Sequence, residues 1–112
     1  MNNDYTEWGD YAIGGSANPT ILSQGNRFLA SANPFTKDVT RRESTVSFNE
    51  WKYWNWKSEG DMLLNGANFT QSGSPRSIAY AASYSMRPRS SAFVGQLTRN
   101  AGVIICRRGT RC

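Results

Sequence analysis

The sequence predicts an all-β chain in which short strands alternate with polar turns. Hydrophobic residues make up 38% and charged residues 19% of the 112 residues, while Gly, Ser and Asn are plentiful. This composition is typical of many turns and short strands rather than of long helices. The four Trp, five Tyr and five Phe are too many apolar anchors for an intrinsically disordered chain. The length indicates one domain or part of one.

Short apolar runs over residues 11–30 predict strands separated by tight turns. Each run holds two to four residues and ends at Gly, Ser or Asn, which fits a stacked β architecture better than a hairpin. Asn18-Pro19 and Asn33-Pro34 mark turns, because the residue before Pro is held in extended geometry. Two short strands with polar turns are predicted over residues 11–30, where the apolar runs are residues 11–13, 21–22 and 27–30.

The remaining segments predict loops and one short helix. Residues 34–50 are polar and predict a surface loop. Residues 61–69 form a short apolar segment that Gly66 interrupts. The four-residue spacing of apolar side chains over residues 77–86 predicts a helix.

The densest aromatic cluster lies at residues 51–57. Trp54 and Trp56 share one face of an extended chain, and Tyr53 takes the other face. Exposed, the two indoles would stack on sugar rings or bases. Buried, they would form the largest part of a small core. Burial is favoured, because it stabilises by about 3 kcal/mol for each Trp and the chain has few other large apolar groups.

Charge is distributed unevenly along the chain. Residues 1–61 hold all eight Asp and Glu against six Lys and Arg, whereas residues 62–112 hold seven Arg and no acid. The arginines of the second segment are therefore solvated, contact a polyanion or pair with the acidic segment.

The absence of His excludes Ser–His and Cys–His nucleophile pairs. Asp4, Glu7 and Asp10 recur every three residues, a spacing that does not match the alternating ligands of a calcium loop. We interpret these carboxylates, and the close pair Glu59 and Asp61, as structural charge rather than as a metal or catalytic site.

Several features of the sequence bear on whether the chain is exported from the cell. Cys106 and Cys112 belong to a basic tail that we interpret as solvated, and they are candidates for a small terminal disulfide in an oxidising compartment. Asn68 begins an N-glycosylation sequon. No apolar stretch is long enough to span a membrane. The first residues do not form a signal peptide, so for a secreted chain the export signal either has been lost or lies upstream.

Three segments resemble the plant pectate lyase family: residues 2–28, 58–67 and 100–112. The resemblance implies the C-terminal coils of a right-handed parallel β-helix, with a loop-rich C-terminal segment packed on its outside. Within this single partial domain, residues 1–33 would form the last coils, and residues 34–112 the loops and the packing segment. Asn3 and Asn26 resemble turn residues that stack between coils, and residues 51–56 resemble a packing strap.

The resemblance also implies an activity and a setting. The family cleaves (1→4)-α-D-galacturonan (pectate) by calcium-dependent β-elimination with an arginine as base, and its members are secreted to the cell wall. We therefore expect an acidic polysaccharide as partner, no nucleic acid or membrane partner, and a monomer.

In the family, the calcium aspartates and the catalytic arginine precede an Asn-Asp-Tyr motif that here begins at Asn3. No residue of this chain thus matches a catalytic or calcium-binding position, and we expect the chain alone to be inactive. The candidate substrate-groove residues are Tyr5, Glu7 and Trp8. The alternatives are a non-catalytic polyanion-binding module that uses the basic C-terminal half, and a truncated product without function.

Overall fold

A computed structural model describes residues 1–74 and 86–102, which contain seven short strands. Two four-residue helices and one 3-10 turn complete the regular structure of this part of the chain. The strands are β1 (Asp4–Thr6), β2 (Ile13–Gly15), β3 (Ile21–Gln24), β4 (Arg27–Leu29), β5 (Thr40–Arg42), β6 (Trp56–Glu59) and β7 (Met62–Leu64), and the helices are α1 (Phe48–Trp51) and α2 (Val94–Leu97), the latter following the 3-10 turn Ser91–Phe93.

Each of the first four strands pairs in parallel with the strand three positions further along the chain. The three sheets contain β1, β4 and β7, then β2 and β5, then β3 and β6. The chain thus visits three sheets in turn and returns to the first, which is a coil of a parallel β-helix. Adjacent parallel strands need such a long connection, because a two-residue hairpin joins only antiparallel strands. The predicted all-β fold, a right-handed parallel β-helix, is confirmed.

The parallel ladders continue beyond residue 33, where the sequence suggested that the coils end. Strands β5, β6 and β7 all follow that position and extend the ladders to Leu64. The prediction of a surface loop across residues 34–50 is wrong at β5, where Val39 and Thr40 are buried. The hydrophobic pattern of the sequence does not predict β5, because its three residues are polar and two of them, Arg41 and Arg42, are charged.

A repeated turn precedes each strand of the three-stranded sheet. Its first residue has a left-handed backbone, with φ of 51° at Asn2, 60° at Gly25 and 65° at Gly60. At Gly25 a side chain is also excluded by space, since an added Cβ would lie 2.5 Å from the carbonyl oxygen of Arg89. Left-handed geometry favours Gly and Asn. These residues therefore mark the turn that leads into each strand of this sheet.

The residue after each left-handed position belongs to a hydrogen-bonded ladder along the coil stack. The backbone N–H of Asn3 donates to Oδ1 of Asn26 at 2.7 Å, and the backbone N–H of Asn26 donates to Oδ1 of Asp61 at 2.8 Å. The predicted stacking of Asn3 and Asn26 between coils is confirmed. Asp61, which the sequence suggested was only structural charge, is the third rung.

The core lies inside the coils and is built around aromatic rings. Trp54 and Trp56 are 2% and 0% exposed, and their ring centroids are 6.2 Å apart. Tyr53, on the other face, is 71% exposed. The predicted burial of the two indoles is therefore confirmed. The rest of this core cluster consists of Phe28, Val39 and Phe69.

The two ends of the coil stack differ. At one end, which we call the closed end, residues 68–74 run over the edges of β5 and β6. Asn68 bridges to Asp38, and Ser72 bridges to Trp56. At the opposite end, the open end, each of β1, β2 and β3 has one edge that pairs with no residue of the described ranges.

Candidate functional site

A cleft of about 710 Å³ lies along the β2–β5 sheet. The two strands are in register, with Gly14 opposite Arg41. The residues that line the cleft are Tyr11, Gly14, Gly15, Ser16, Arg41, Arg42, Glu43 and Ser44.

An aromatic ring and a cation meet at one end of this cleft. The Tyr11 ring lies so close to Gly14 that a Cβ added there would be 2.6 Å from a ring carbon. Cζ of Arg41 lies 5.2 Å from the centroid of the same ring, and its guanidinium pairs with Asp10. The Tyr11 residue is 43% exposed and the Arg41 side chain 42% exposed. A partly exposed ring beside a guanidinium suits a ligand that combines an apolar ring face with an anionic group.

Arg42, the neighbour of Arg41, packs into the fold. Its Cζ lies 4.3 Å from the Trp51 ring centroid and 4.1 Å from that of Trp56. Its Nη2 donates to the carbonyl oxygen of Thr70 at 2.9 Å and to Oγ of Ser72 at 2.8 Å. Burial lowers the pKa of Arg42, but a guanidinium stays protonated in proteins. The side chain thus fastens residues 68–74 to the indoles of the core.

The predicted groove residues lie away from this cleft. The Tyr5 ring stacks on Phe28 with centroids 4.9 Å apart and an interplanar angle of 11°. Trp8 meets Phe28 edge-on at 6.3 Å. Glu7 is exposed and has a left-handed backbone with φ of 49°. None of the three lines the cleft, and packing in the core accounts for both rings.

Four of the five carboxylates singled out in the sequence, all except Glu7, have structural partners. Asp4 accepts a hydrogen bond from Nε of Arg27 at 2.9 Å, and this contact raises the pKa of Arg27. The other pairs are Asp10 with Arg41, Glu59 with Gln24, and Asp61 with Asn26 and Ser58. No three acidic, Cys or His side chains come together as a metal site within residues 1–74 and 86–102. These carboxylates do not fit a calcium site, because their oxygens already hold the coils together.

The remaining predicted sites fall into two groups. Asn68 is exposed, and its backbone pairs with Lys37 and Val39, so its side chain is accessible for glycosylation. Cys106, Cys112 and most of the predicted helix, residues 77–85, lie outside the described residues. Within the described ranges, neither helix has the length or the hydrophobicity to cross a membrane.

The sequence is similar to plant pectate lyases over its full length. It is 57% identical to probable pectate lyase 8 of Arabidopsis thaliana, 55% to probable pectate lyase 20 of the same plant, and 54% to a pectate lyase of Zinnia elegans. Each alignment covers 100% of this chain but only 27% or 28% of the relative. No protein-family model matches the chain.

The fold has a counterpart among solved structures. The crystal structure of Jun a 1, the major allergen from cedar pollen, superposes with a TM-score of 0.81 at 41% sequence identity. The match covers 92% of this chain and 30% of that one. The chain thus spans about a quarter of the length of the curated relatives that it matches. The chain is thus similar to plant pectate lyases over its full length, and its coils form a right-handed parallel β-helix.

Proposed function

We propose that this chain is the C-terminal part of a pectate lyase that cleaves pectate by calcium-dependent β-elimination, as a secreted monomer in the plant cell wall. The observation that carries the proposal is 57% identity across all 112 residues to a probable pectate lyase. The parallel coils and the cleft along the β2–β5 sheet support it.

In this proposal the chain supplies one flank of a binding groove. A galacturonate unit has a ring face that suits Tyr11 and a carboxylate that suits Arg41. The carboxylate would compete with Asp10, whose side chain is 64% exposed. Exposed ion pairs contribute only about 0–1 kcal/mol, so Arg41 is free to exchange one anionic partner for another.

The elimination itself is proposed to use groups outside this chain. A base must take the proton from carbon 5 of the uronate as the glycosidic bond at carbon 4 breaks, leaving a carbon–carbon double bond in the product. Such a base must lie within hydrogen-bond reach of that proton. The arginines Arg27 and Arg42 are committed to Asp4 and to two indoles. The calcium ligands are likewise proposed to come from the rest of the enzyme, and the chain alone is proposed to be inactive.

An activity assay tests the proposal. The purified chain is incubated with polygalacturonate and calcium, and the ultraviolet absorbance of the unsaturated product is followed. The full-length Zinnia elegans relative serves as the positive control. We expect product from the control and none from the chain. Product from the chain would overturn the proposed inactivity.

A retention assay tests the groove. Migration of the chain through gels that contain pectate is compared for the native sequence, Arg41→Ala and Tyr11→Ala. We expect both variants to be retarded several-fold less, because each removes one half of the proposed contact. Gln96→Ala, an exposed position on α2, is the control and should migrate like the native chain. Equal retardation of all variants would rule out this cleft.

A second candidate function rests on a different set of arginines. Arg87, Arg89 and Arg99 are exposed, and none forms an ion pair with an acid in the described part of the chain. They favour a non-catalytic module that binds a polyanion. Replacing all three by Gln would then abolish retention on pectate and on nucleic acid, and retention would fall steeply with salt. Unchanged retention of this variant would exclude the second candidate.

A further inference from the structure

Asn68 begins an Asn-Phe-Thr sequon that the proposed function does not use. Its backbone N–H donates to the carbonyl oxygen of Lys37 at 2.9 Å, and its carbonyl oxygen accepts from the N–H of Val39 at 2.9 Å. The ladder thus uses both of its backbone groups. The Asn68 side chain is exposed and has no hydrogen-bond partner in the described part of the chain. Its amide nitrogen is therefore available for a covalent attachment.

The residues after Asn68 fix the direction of its side chain. Phe69 is 8% exposed and belongs to the core cluster. Side chains alternate between the two faces of an extended chain, so Asn68 and Thr70 lie on the outer face. The backbone N–H of Thr70 donates to Oγ1 of Thr40 at 3.0 Å, and its carbonyl oxygen accepts from Nη2 of Arg42. A glycan on Asn68 would thus project into solvent and leave these contacts in place.

Asn68 also lies in line with the cleft. It bridges in parallel to Asp38. Asp38 precedes Thr40 by two residues, as Tyr11 precedes Ile13, the partner of Thr40 in the ladder. Tyr11, Asp38 and Asn68, all exposed, therefore follow one another at the same end of neighbouring coils. Neighbouring strands are about 4.8 Å apart, which places Asn68 about 10 Å beyond Tyr11 along the coil stack.

We propose that Asn68 carries an N-linked glycan and that this glycan bounds the cleft on the side of the closed end. This rests on the proposed function, both for secretion and for pectate as the ligand. A pectate chain that continues along the coil stack from Tyr11 and Arg41 would pass over Asp38 and then meet the glycan. The glycan, bulky and hydrophilic, would occupy the surface that the next sugar units need.

The charges next to Asn68 favour the same limit. Asp38 is exposed and forms no ion pair with a described residue, so its carboxylate repels a uronate. The adjacent ammonium of Lys37 does not offset this repulsion, because its Nζ donates to the carbonyl oxygens of Ser31 at 2.6 Å and Asn65 at 3.0 Å. Charge and bulk thus both oppose the binding of pectate beyond Asp38.

The attachment is a transfer from a lipid-linked oligosaccharide diphosphate, catalysed by a transferase of the secretory route. The amide nitrogen of Asn68 forms a bond to carbon 1 of the first sugar and loses one proton. The bond from that carbon to the diphosphate oxygen breaks, and the diphosphate leaves with the electron pair. No oxidant or reductant is needed.

The first test measures occupancy of Asn68. The full chain is expressed behind a secretion signal in plant cells, and the peptide that contains Asn68 is analysed by mass spectrometry. We expect a glycan on most molecules and on Thr70→Ser, but none on Thr70→Val, which removes the sequon hydroxyl. Asn18 is the internal control, since it is exposed but the Pro19 that follows it prevents transfer. Unmodified Asn68 in chains recovered from the secretory route would overturn the proposal.

The second test measures what the glycan does at the cleft. Migration through gels that contain long pectate is compared before and after an endoglycosidase trims the glycan to its first sugar, so no substitution enters the comparison. We expect the trimmed chain to be retarded several-fold more. A galacturonate dimer, used as competitor, should bind both forms equally, because it does not extend from Tyr11 to Asn68. Thr70→Val should migrate like the trimmed chain.

The outcomes separate this inference from the proposed function. An occupied Asn68 with equal retardation of the trimmed and untrimmed chains would overturn the bounding role. An unoccupied Asn68 in a chain that pectate retards would overturn the whole inference and leave the proposed function standing. No retardation of any form would contradict the proposed function at this cleft and the bounding role with it, whereas the mass of the peptide decides the modification by itself.

Discussion

At the closed end of the coil stack, residues 68–74 satisfy the edges of β5 and β6 with bridges and side-chain hydrogen bonds, whereas at the open end β1, β2 and β3 each keep one edge free of described residues. The same ladders reach both ends, but within residues 1–74 and 86–102 a further segment bridges only to β6 and to Asp38, just before β5. Coils of a solenoid contact mainly their neighbours, so a terminal coil needs a cap. The difference teaches that residues 68–74 cap two of the three ladders, whereas the outer edges of β1, β2 and β3 pair with no described residue.

The largest expected effect is at the core beneath the closed end. Trp56 is 0% exposed, so Trp56→Ala should lower the free energy of unfolding by about 3–5 kcal/mol. Tyr53→Ala, at a residue 71% exposed, should change it by less than about 0.5 kcal/mol. Denaturant titration followed by circular dichroism measures both. Equal losses in the two variants would refute the core position assigned to Trp56.

The next effect concerns residues 68–74, which cover the closed end. Arg42→Ala should cost about 2–3 kcal/mol, because it leaves the Thr70 and Ser72 acceptors without their donor and opens the space between two indoles. Arg42→Lys should lose most of that amount, since an ammonium lacks the planar fork and stacks poorly. Arg41→Ala, one residue away in an exposed ion pair, should stay within about 1 kcal/mol of the native chain. Similar stabilities for Arg42→Ala and Arg41→Ala would show that residues 68–74 are not held by the Arg42 guanidinium.

The ladder gives a direct contrast between an internal and a terminal rung. Asp61→Ala should cost about 1–3 kcal/mol, because the backbone N–H of Asn26 then has no acceptor. Asp61→Asn keeps that acceptor and should cost less. Asn3→Ala should cost at most about 1 kcal/mol in the isolated chain, since it removes only the bond from its own Nδ2 to Asn26. Thermal unfolding of the three variants measures the order, and a larger loss for Asn3→Ala than for Asp61→Ala would contradict it.

The smallest effect is at the open end. Glu7 has a left-handed backbone with φ of 49°, which costs a residue with a side chain roughly 1–2 kcal/mol. Gly relieves that strain but loses more entropy on folding, by roughly 0.5–1 kcal/mol. Glu7→Gly should therefore raise the stability by about 0.5 kcal/mol, measured as a small rise in Tm. Glu7→Ala is the control and should not raise it.

The sequence predicted those parts of the fold that depend on a local pattern of apolar residues. Short apolar runs predicted β3 and β4, and the two-residue spacing of Trp54 and Trp56 predicted their shared, buried face. Strand β5 was missed, because it holds Thr40, Arg41 and Arg42 and its inward position depends on pairing with β2. Ile13 and Thr40 pair although they are 27 residues apart in the sequence. The residues around either position do not reveal such a pairing.

The candidate site was less accessible for the same reason. Tyr11 and Arg41 meet only because β2 and β5 are in register, and a single sequence does not reveal that register. The resemblance placed the groove at Tyr5, Glu7 and Trp8, and that placement stays a prediction. Tyr5 alternates with Asp4 and Thr6 along β1, and this period of two places its ring on the core side. That signal was present in the sequence once β1 was recognised as a strand.

Amide hydrogen exchange of the chain tests the difference between the two ends most directly. The N–H groups of Asp4 and Thr6 should exchange fast, because the alternation of backbone groups along β1 points them away from β4. The N–H groups of Asn26 and Ser72 should be protected by their hydrogen bonds. Protection of Asp4 and Thr6 equal to that of Asn26 and Ser72 would contradict the account of one closed and one open end.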